Sequence, residues 1–264
     1  MKRVLETSGI LLHAKHTLKP NSLGYCGPDE NETILEHLYK SSTSDRLVST
    51  LTKFEAAYPF VEMIAKSTGR PAFDRKVTEA YWLGNSLLDK VSPSDFFQLT
   101  RHDLASSRMR IGKTDGISKQ DTKSLFKELG TTARPHHTFY VLGMYAGSSI
   151  KAGSSDKLLT LMDSCRVSWG KVLEVKKGSL IVERPALALN GDRLSLSAPK
   201  GREVRYDPRI PPFSSIHKGD WVSIHWNFAS EKLKLYQLRN LKKYTALDID
   251  ATNQLVNSRV QALW

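Results

Sequence analysis

Apolar residues recur at helical spacing through about the first 130 residues of the chain, and at strand spacing through much of the last hundred. Residues 31–40 bring Ile34, Leu35 and Leu38 onto one face, with Glu32 in the first turn, where a negative charge complements the helix dipole. Residues 45–66 repeat the period through Leu47, Val48, Leu51, Phe54, Tyr58, Val61 and Ile64, and Pro59 is expected to kink or divide that helix. Residues 73–91 predict another, with Val77, Ala80, Tyr81, Leu83, Leu87 and Leu88 inward. Ser92-Pro93-Ser94-Asp95 supplies a cap and a first-turn proline for a further helix, and residues 118–129 predict a last one closed by Gly130.

The pattern then changes. His136-His137-Thr138-Phe139-Tyr140-Val141-Leu142 is β-prone and reads as a strand or extended crossover. A Gly/Ser/Lys-rich connector over 147–155 precedes a short helix at 156–163. Beyond Cys165, short runs at 166–175, 179–183, 193–197, 203–205 and 221–227 read as strands, punctuated by Lys177-Gly178, Asn190-Gly191-Asp192 and Lys200-Gly201. Asn190-Gly191 is a hairpin signal. Residues 231–241 return to helical spacing through Leu233, Leu235, Leu238 and Leu241, and the polar final twenty read as a loosely attached tail. The expected class is α+β: a mostly helical N-terminal domain (1–146), a linker with a short helix (147–164), a small OB-like β-barrel with a trailing helix (165–242) and a polar tail (243–264).

Composition narrows this little. Of 264 residues, 40% are hydrophobic and 25% charged, as in ordinary globular proteins. No apolar run approaches the ~20 residues of a membrane span, and Met1–Thr7 lacks the apolar core of a signal peptide, so a cytoplasmic protein is expected. The net charge of +12 is concentrated in the barrel half: residues 165–264 hold 17 basic and 9 acidic side chains, against 22 and 18 in residues 1–164. Such an excess favours acidic partners through steering.

Two cysteines cannot build a disulfide framework, so their interest is chemical. Cys165 precedes a strand, which places its sulfur at a barrel rim beside basic Arg166, a setting expected to favour the thiolate. His225 lies in the alternating strand Val222-Ser223-Ile224-His225-Trp226 and shares a face with Ser223. Cys26 stands in the tight turn Gly24-Tyr25-Cys26-Gly27-Pro28. With His136, His137, Glu55 or Glu79 it could form a nucleophilic or metal site, although His136 and His137 would face opposite ways in an extended segment. Tyr58, Tyr81 and Trp82 read as core.

The C-terminal motifs resemble the HypC/HupF family of hydrogenase maturation chaperones. Cys165 stands five residues before Gly170-Lys171-Val172, and Gly219-Asp220-Trp221-Val222, His225, Phe228-Ala229 and Glu231-Lys232-Leu233 follow in the family's order. Trp169 stands where that family usually has Pro, the middle is longer through Pro208, Pro211 and Pro212, and Cys165 is internal where the family's Cys follows the initiator Met. The resemblance implies transient handling of an iron carrying CO and cyanide ligands, with Cys165 as ligand and His225 assisting. It also implies two kinds of partner, the hydrogenase large subunit precursor and iron-loading maturation proteins. Gly24–Asp29, Phe54-Glu55, Glu79–Asn85 and Pro135–His137 are similar to an uncharacterised family associated with hydrogenase gene clusters, which brings no mechanism.

Two other readings stay open. The helical part could be a Cys26-dependent enzyme or small-ligand-binding domain of the same pathway. The basic OB-like barrel could bind single-stranded nucleic acid through aromatic stacking, a reading that gives Cys165 and His225 no role.

Overall fold

The computed structural model describes residues 2–96, 99, 133–149, 156–191 and 193–261. Among these described residues, eight α-helices and seven strands follow in order: α1 (Lys2–Ser22), α2 (Asn31–Lys40), α3 (Asp45–Thr52), α4 (Tyr58–Thr68), α5 (Arg75–Leu83), α6 (His137–Ser149), α7 (Asp156–Cys165), β1 (Ser168–Lys176), β2 (Ser179–Arg184), β3 (Leu187–Asn190), β4 (Arg193–Leu196), β5 (Lys200–Arg205), β6 (Trp221–His225), β7 (Phe228–Lys232) and α8 (Leu235–Gln261). The class is α+β, with helices before a closed barrel of order β1-β2-β5-β7-β6 and a helix after it. The helix expected over 118–129 lies outside the described residues. Among the described residues no helix is long and apolar enough to cross a membrane.

Local chemistry sets most boundaries. The periodic stretch 45–66 is divided: Ser44 caps α3 by accepting from the Leu47 amide, and Pro59 occupies the first turn of α4. Asp74 caps α5 through the Lys76 amide, and that helix stops at Gly84, short of the expected residue 91. Gly84 has φ +80°, and a Cβ there would sit 2.5 Å from the Tyr244 ring of α8.

Three expectations are corrected. Residues 137–149 form α6, where a strand or crossover was expected. Phe139, Tyr140, Val141 and Leu142 are all buried, and a short apolar run with neighbours on every side adopts whatever backbone its tertiary contacts favour. The segment 243–261 is no loose tail, because α8 runs through it and buries Tyr244, Asp248, Ala251, Thr252 and Asn253. Asn253 even takes a strand's place beside β4, receiving the Leu194 amide (2.8 Å) and donating to its carbonyl (3.0 Å). Glu231 and Lys232 end β7 and do not open a helix.

The barrel interior is filled by Val172, Leu180, Val182, Val204, Val222 and Ile224, all essentially inaccessible. Gly170 lets β1 approach this packing, since a Cβ there would lie 2.9 Å from Val182. The hairpin signalled by Asn190-Gly191 forms as β3–β4, but Asn190 still pairs with Arg193 in the ladder, so the turn starts one residue later, at Gly191 with φ +63°. One apolar core runs from Leu38, Phe60 and Trp82 in the helices, with Phe54 between α3 and α4, into these barrel residues. The expected division at 147–164 is therefore no division in packing.

Helix α1 lies between the helices and the barrel. It packs against α2, α5, β6 and β7, and buries Ile10, Leu12, His13, Ala14, His16, Thr17 and Leu18. Lys15 pairs with buried Glu231 of β7 (3.1 Å), which Arg75 of α5 also approaches (3.8 Å). Gly9 allows the contact with α5, because a Cβ there would stand 1.9 Å from the Phe73 carbonyl oxygen. Gly9→Ala is expected to destabilise the chain by about 2–3 kcal/mol, the range for overpacking a filled interior. Chemical denaturation checks this; an unchanged midpoint would show that α1 can slide off α5 at no cost.

Candidate metal centre

The ends of three elements meet at one point. His137 opens α6, Cys165 closes α7 and His225 closes β6, and one donor atom from each lies within 4.8 Å of the others. The two imidazole rings stand 5.0 Å apart and nearly perpendicular. His137 and His225 are buried, whereas Cys165 keeps part of its surface accessible.

Hydrogen bonds orient the rings. His225 Nδ1–H donates to the His16 carbonyl of α1 (2.7 Å), since a carbonyl can only accept. In the neutral ring that leaves Nε2 as a lone pair, buried with no hydrogen-bond partner. Ser223, on the same strand face, meets His16 Nε2 (3.1 Å), and His16 Nδ1–H donates to the Leu12 carbonyl (2.9 Å). His137 Nε2 lies 2.9 Å from the Cys165 carbonyl oxygen, and its Nδ1 lies 3.2 Å from the Tyr81 hydroxyl. That hydroxyl donates to the Ala56 carbonyl (2.8 Å). The Cys165 carbonyl can only accept, so His137 Nε2–H donates to it and Nδ1 keeps its lone pair beside the Tyr81 hydroxyl; ligation through Nε2 would require the ring to give up that backbone bond. Backbone and hydroxyl partners of this kind fix imidazole ligands in metal sites.

Trp82 forms the floor. Its ring lies 4.7 Å from His137, 5.6 Å from His225, 5.4 Å from His13 and 5.2 Å from His16, and its indole N–H donates to His13 Nδ1 (3.0 Å). Burial keeps these imidazoles neutral: it lowers His13 to about 3 and His225 to about 4, and holds His16 and His137 well below their ordinary value.

The thiols move the other way. Burial pushes Cys165 up to about 12 and Cys26 up to about 11, so both are protonated at neutral pH. The Arg166 guanidinium, expected to favour the thiolate, is turned to Asp163 (2.8 Å) and the Pro185 carbonyl (3.2 Å). An activated nucleophile needs a depressed thiol pKa, which neither cysteine has. A ligand needs only to lose its proton when a metal arrives. Two neutral imidazoles and one thiol are a donor set for zinc or iron, and the unpartnered His225 Nε2 is an atom that such an ion would satisfy.

Of the residues singled out in the sequence, Cys165, His225 and His137 come together. His136, beside His137, turns away to bond buried Asp248 of α8. Glu79 faces α8 as well, accepting from Gln237 (2.9 Å) and Tyr236 (3.3 Å), and Glu55 is exposed. Cys26 is partly buried near the centre without belonging to the three-donor set. His13 and His16, which orient the site from α1, were missed because that helix is buried on several sides and carries no single apolar stripe.

Each lowered imidazole binds its proton less readily in the folded than in the unfolded chain. Stability is therefore complete above the ordinary histidine value and falls as pH drops through the window from about 6.5 towards the folded values. At ~1.4 kcal/mol per pH unit for each of four histidines, the metal-free chain should lose on the order of 5 kcal/mol between about pH 7.5 and pH 5.5. Denaturant midpoints at the two pH values measure this, and equal midpoints would mean that the imidazoles are open to water.

No curated protein and no solved structure matches this chain. A family model, DUF6390, described as a family of unknown function, matches residues 5–259, and the chain belongs to that family.

Proposed function

We propose that this protein is a metal-handling maturation factor whose His137, Cys165 and His225 hold an iron carrying CO and cyanide ligands on its way to a [NiFe]-hydrogenase large subunit precursor. The observation that carries this reading is the convergence of the three donors. Two of them, Cys165 and His225, are the residues that the resemblance to HypC/HupF chaperones singles out; His225 closes barrel strand β6, and Cys165 ends the helix that leads into β1. The third comes from the helical half and was not implied by the resemblance.

The donor chemistry supports such cargo. Thiolate is soft and electron-rich, which suits iron bound to CO and cyanide, and imidazole serves iron well. Three protein donors leave the remaining positions of a six-coordinate iron for ligands that the fragment brings. Partial exposure of Cys165 gives the cargo a side from which to enter and leave. The Cys165 proton departs on ligation, so capture strengthens with rising pH. Single-stranded nucleic acid is the weaker reading: Trp169 is buried, and both Trp169 and Trp221 lie under Lys242, which covers the faces that bases would stack on.

The test is purification from a host that makes [NiFe]-hydrogenase. The wild-type chain should show infrared bands of metal-bound CO and cyanide and should capture the large subunit precursor. Cys165→Ala and His225→Ala should lose the bands and at least about tenfold in iron content, while circular dichroism reports an intact fold. Bands and capture that persist in Cys165→Ala would remove the reading.

A further inference from the structure

We propose that Cys26 is a fourth donor of this centre, and that with a bare divalent ion of the zinc type the site becomes a tetrahedral two-cysteine, two-histidine centre. The inference rests on the His137–Cys165–His225 site being a metal site, and it concerns an ion that brings no ligands of its own.

Position comes first. The ring of Tyr25 stacks on that of Trp226 at 4.4 Å, and the Trp226 amide donates to the Ser164 carbonyl (2.8 Å). Trp226 follows His225, Ser164 precedes Cys165 and Tyr25 precedes Cys26, so these contacts bring the Cys26 turn to the place where two of the three donors end.

The turn is built to stay there. The Asn21 side-chain amide donates to the Cys26 and Pro28 carbonyls, the former at 3.0 Å. Gly27 has φ +81° and lies against Phe54, where a Cβ would come within 2.4 Å of the ring. Trp226 itself has φ +53°, a conformation that bulky residues rarely adopt. It and Asn227 (φ +54°) form the two-residue turn from β6 to β7, and the stack on Tyr25 and the bond to Ser164 anchor that turn against the neighbouring elements.

The site also lacks something. His225 Nε2 is buried with no partner, a lone pair that a metal ion would take up. A four-coordinate zinc-type ion on three donors is one ligand short, and Cys26 is the chain's only other cysteine. Its sulfur lies outside the set within 4.8 Å, so it must close in as the ion binds, beneath the exposed Tyr25 ring. An iron that already carries small ligands has no need of it.

X-ray absorption of the zinc-loaded full chain, prepared under reducing conditions, decides the matter. Two sulfurs and two nitrogens are expected, with zinc–sulfur distances near ~2.3 Å. Cys26→Ser should leave one sulfur, roughly halve the thiolate-to-metal absorption of the cobalt-loaded chain and weaken zinc binding by about tenfold or more. A single sulfur in the wild type overturns the proposal, as do unchanged cobalt spectra in both Cys26→Ser and Cys26→Ala. A wild-type chain that binds neither zinc nor cobalt overturns it too. The iron-fragment reading is judged separately, by infrared bands that Cys26→Ser should leave in place.

Discussion

The contact between α1 and the outer face of β6 is the constraint on which the site depends. His16 serves it three times over: its carbonyl receives His225 Nδ1–H, its Nε2 meets Ser223, and its ring stacks on Trp82. Strand alternation puts Ser223 and His225 on one face, leaving Val222 and Ile224 for the barrel interior. A strand that would present that face to water in a free barrel instead presents it to a helix. The bond from His225 to α1 then decides which nitrogen carries the proton, and hence which one faces the donors. The remaining ion pairs across this seam, Lys15 and Arg75 with Glu231, hold α1 and α5 against β7 in the same register.

Electrostatics make this a site that waits. Four buried imidazoles around Trp82 are neutral and both thiols keep their protons, so the interior holds its donors without an uncompensated charge. Such an arrangement is stable while empty of charge, and ligation through Cys165 would release its proton. The raised thiol values work against a nucleophile that rests as thiolate. Buried charge is present nearby but is matched internally: Asp163 receives both Arg166 and Arg184, together with the Leu187 amide.

Much of the barrel was legible because its signals are local. Asn190-Gly191 and Lys177-Gly178 mark turns, the alternation in 221–225 marks β6, and Pro59 marks the first turn of α4. Cys165 and His225 could be singled out because they sit in ordered motifs. His137 was visible as half of a His-His pair, yet its helix was not: a β-prone apolar run buried all round carries no period that distinguishes the two backbones. In a strand the pair would have split across two faces. At the start of α6 it splits differently, with His136 going to Asp248 and His137 to Cys165. The length of α8 was hidden for a related reason, since its later turns bury Thr252 and Asn253 as well as Ala251, and polar residues give no apolar stripe to count.

These misses share a cause that bears on what the protein is. Sequence patterns separate a helical part from a barrel, because each has its own period, whereas the functional geometry exists only where the two are pressed together. His137 belongs to one, His225 to the other, and Cys165 ends the helix that joins them. The core crosses the same seam without interruption, and the match to one family spans residues 5–259. A barrel cut free at Cys165 would keep two donors and lose His137, the carbonyl of His16 that orients His225, and the Trp82 floor. The helical half is therefore best understood as the part that turns a surface cysteine and histidine into an enclosed three-donor centre.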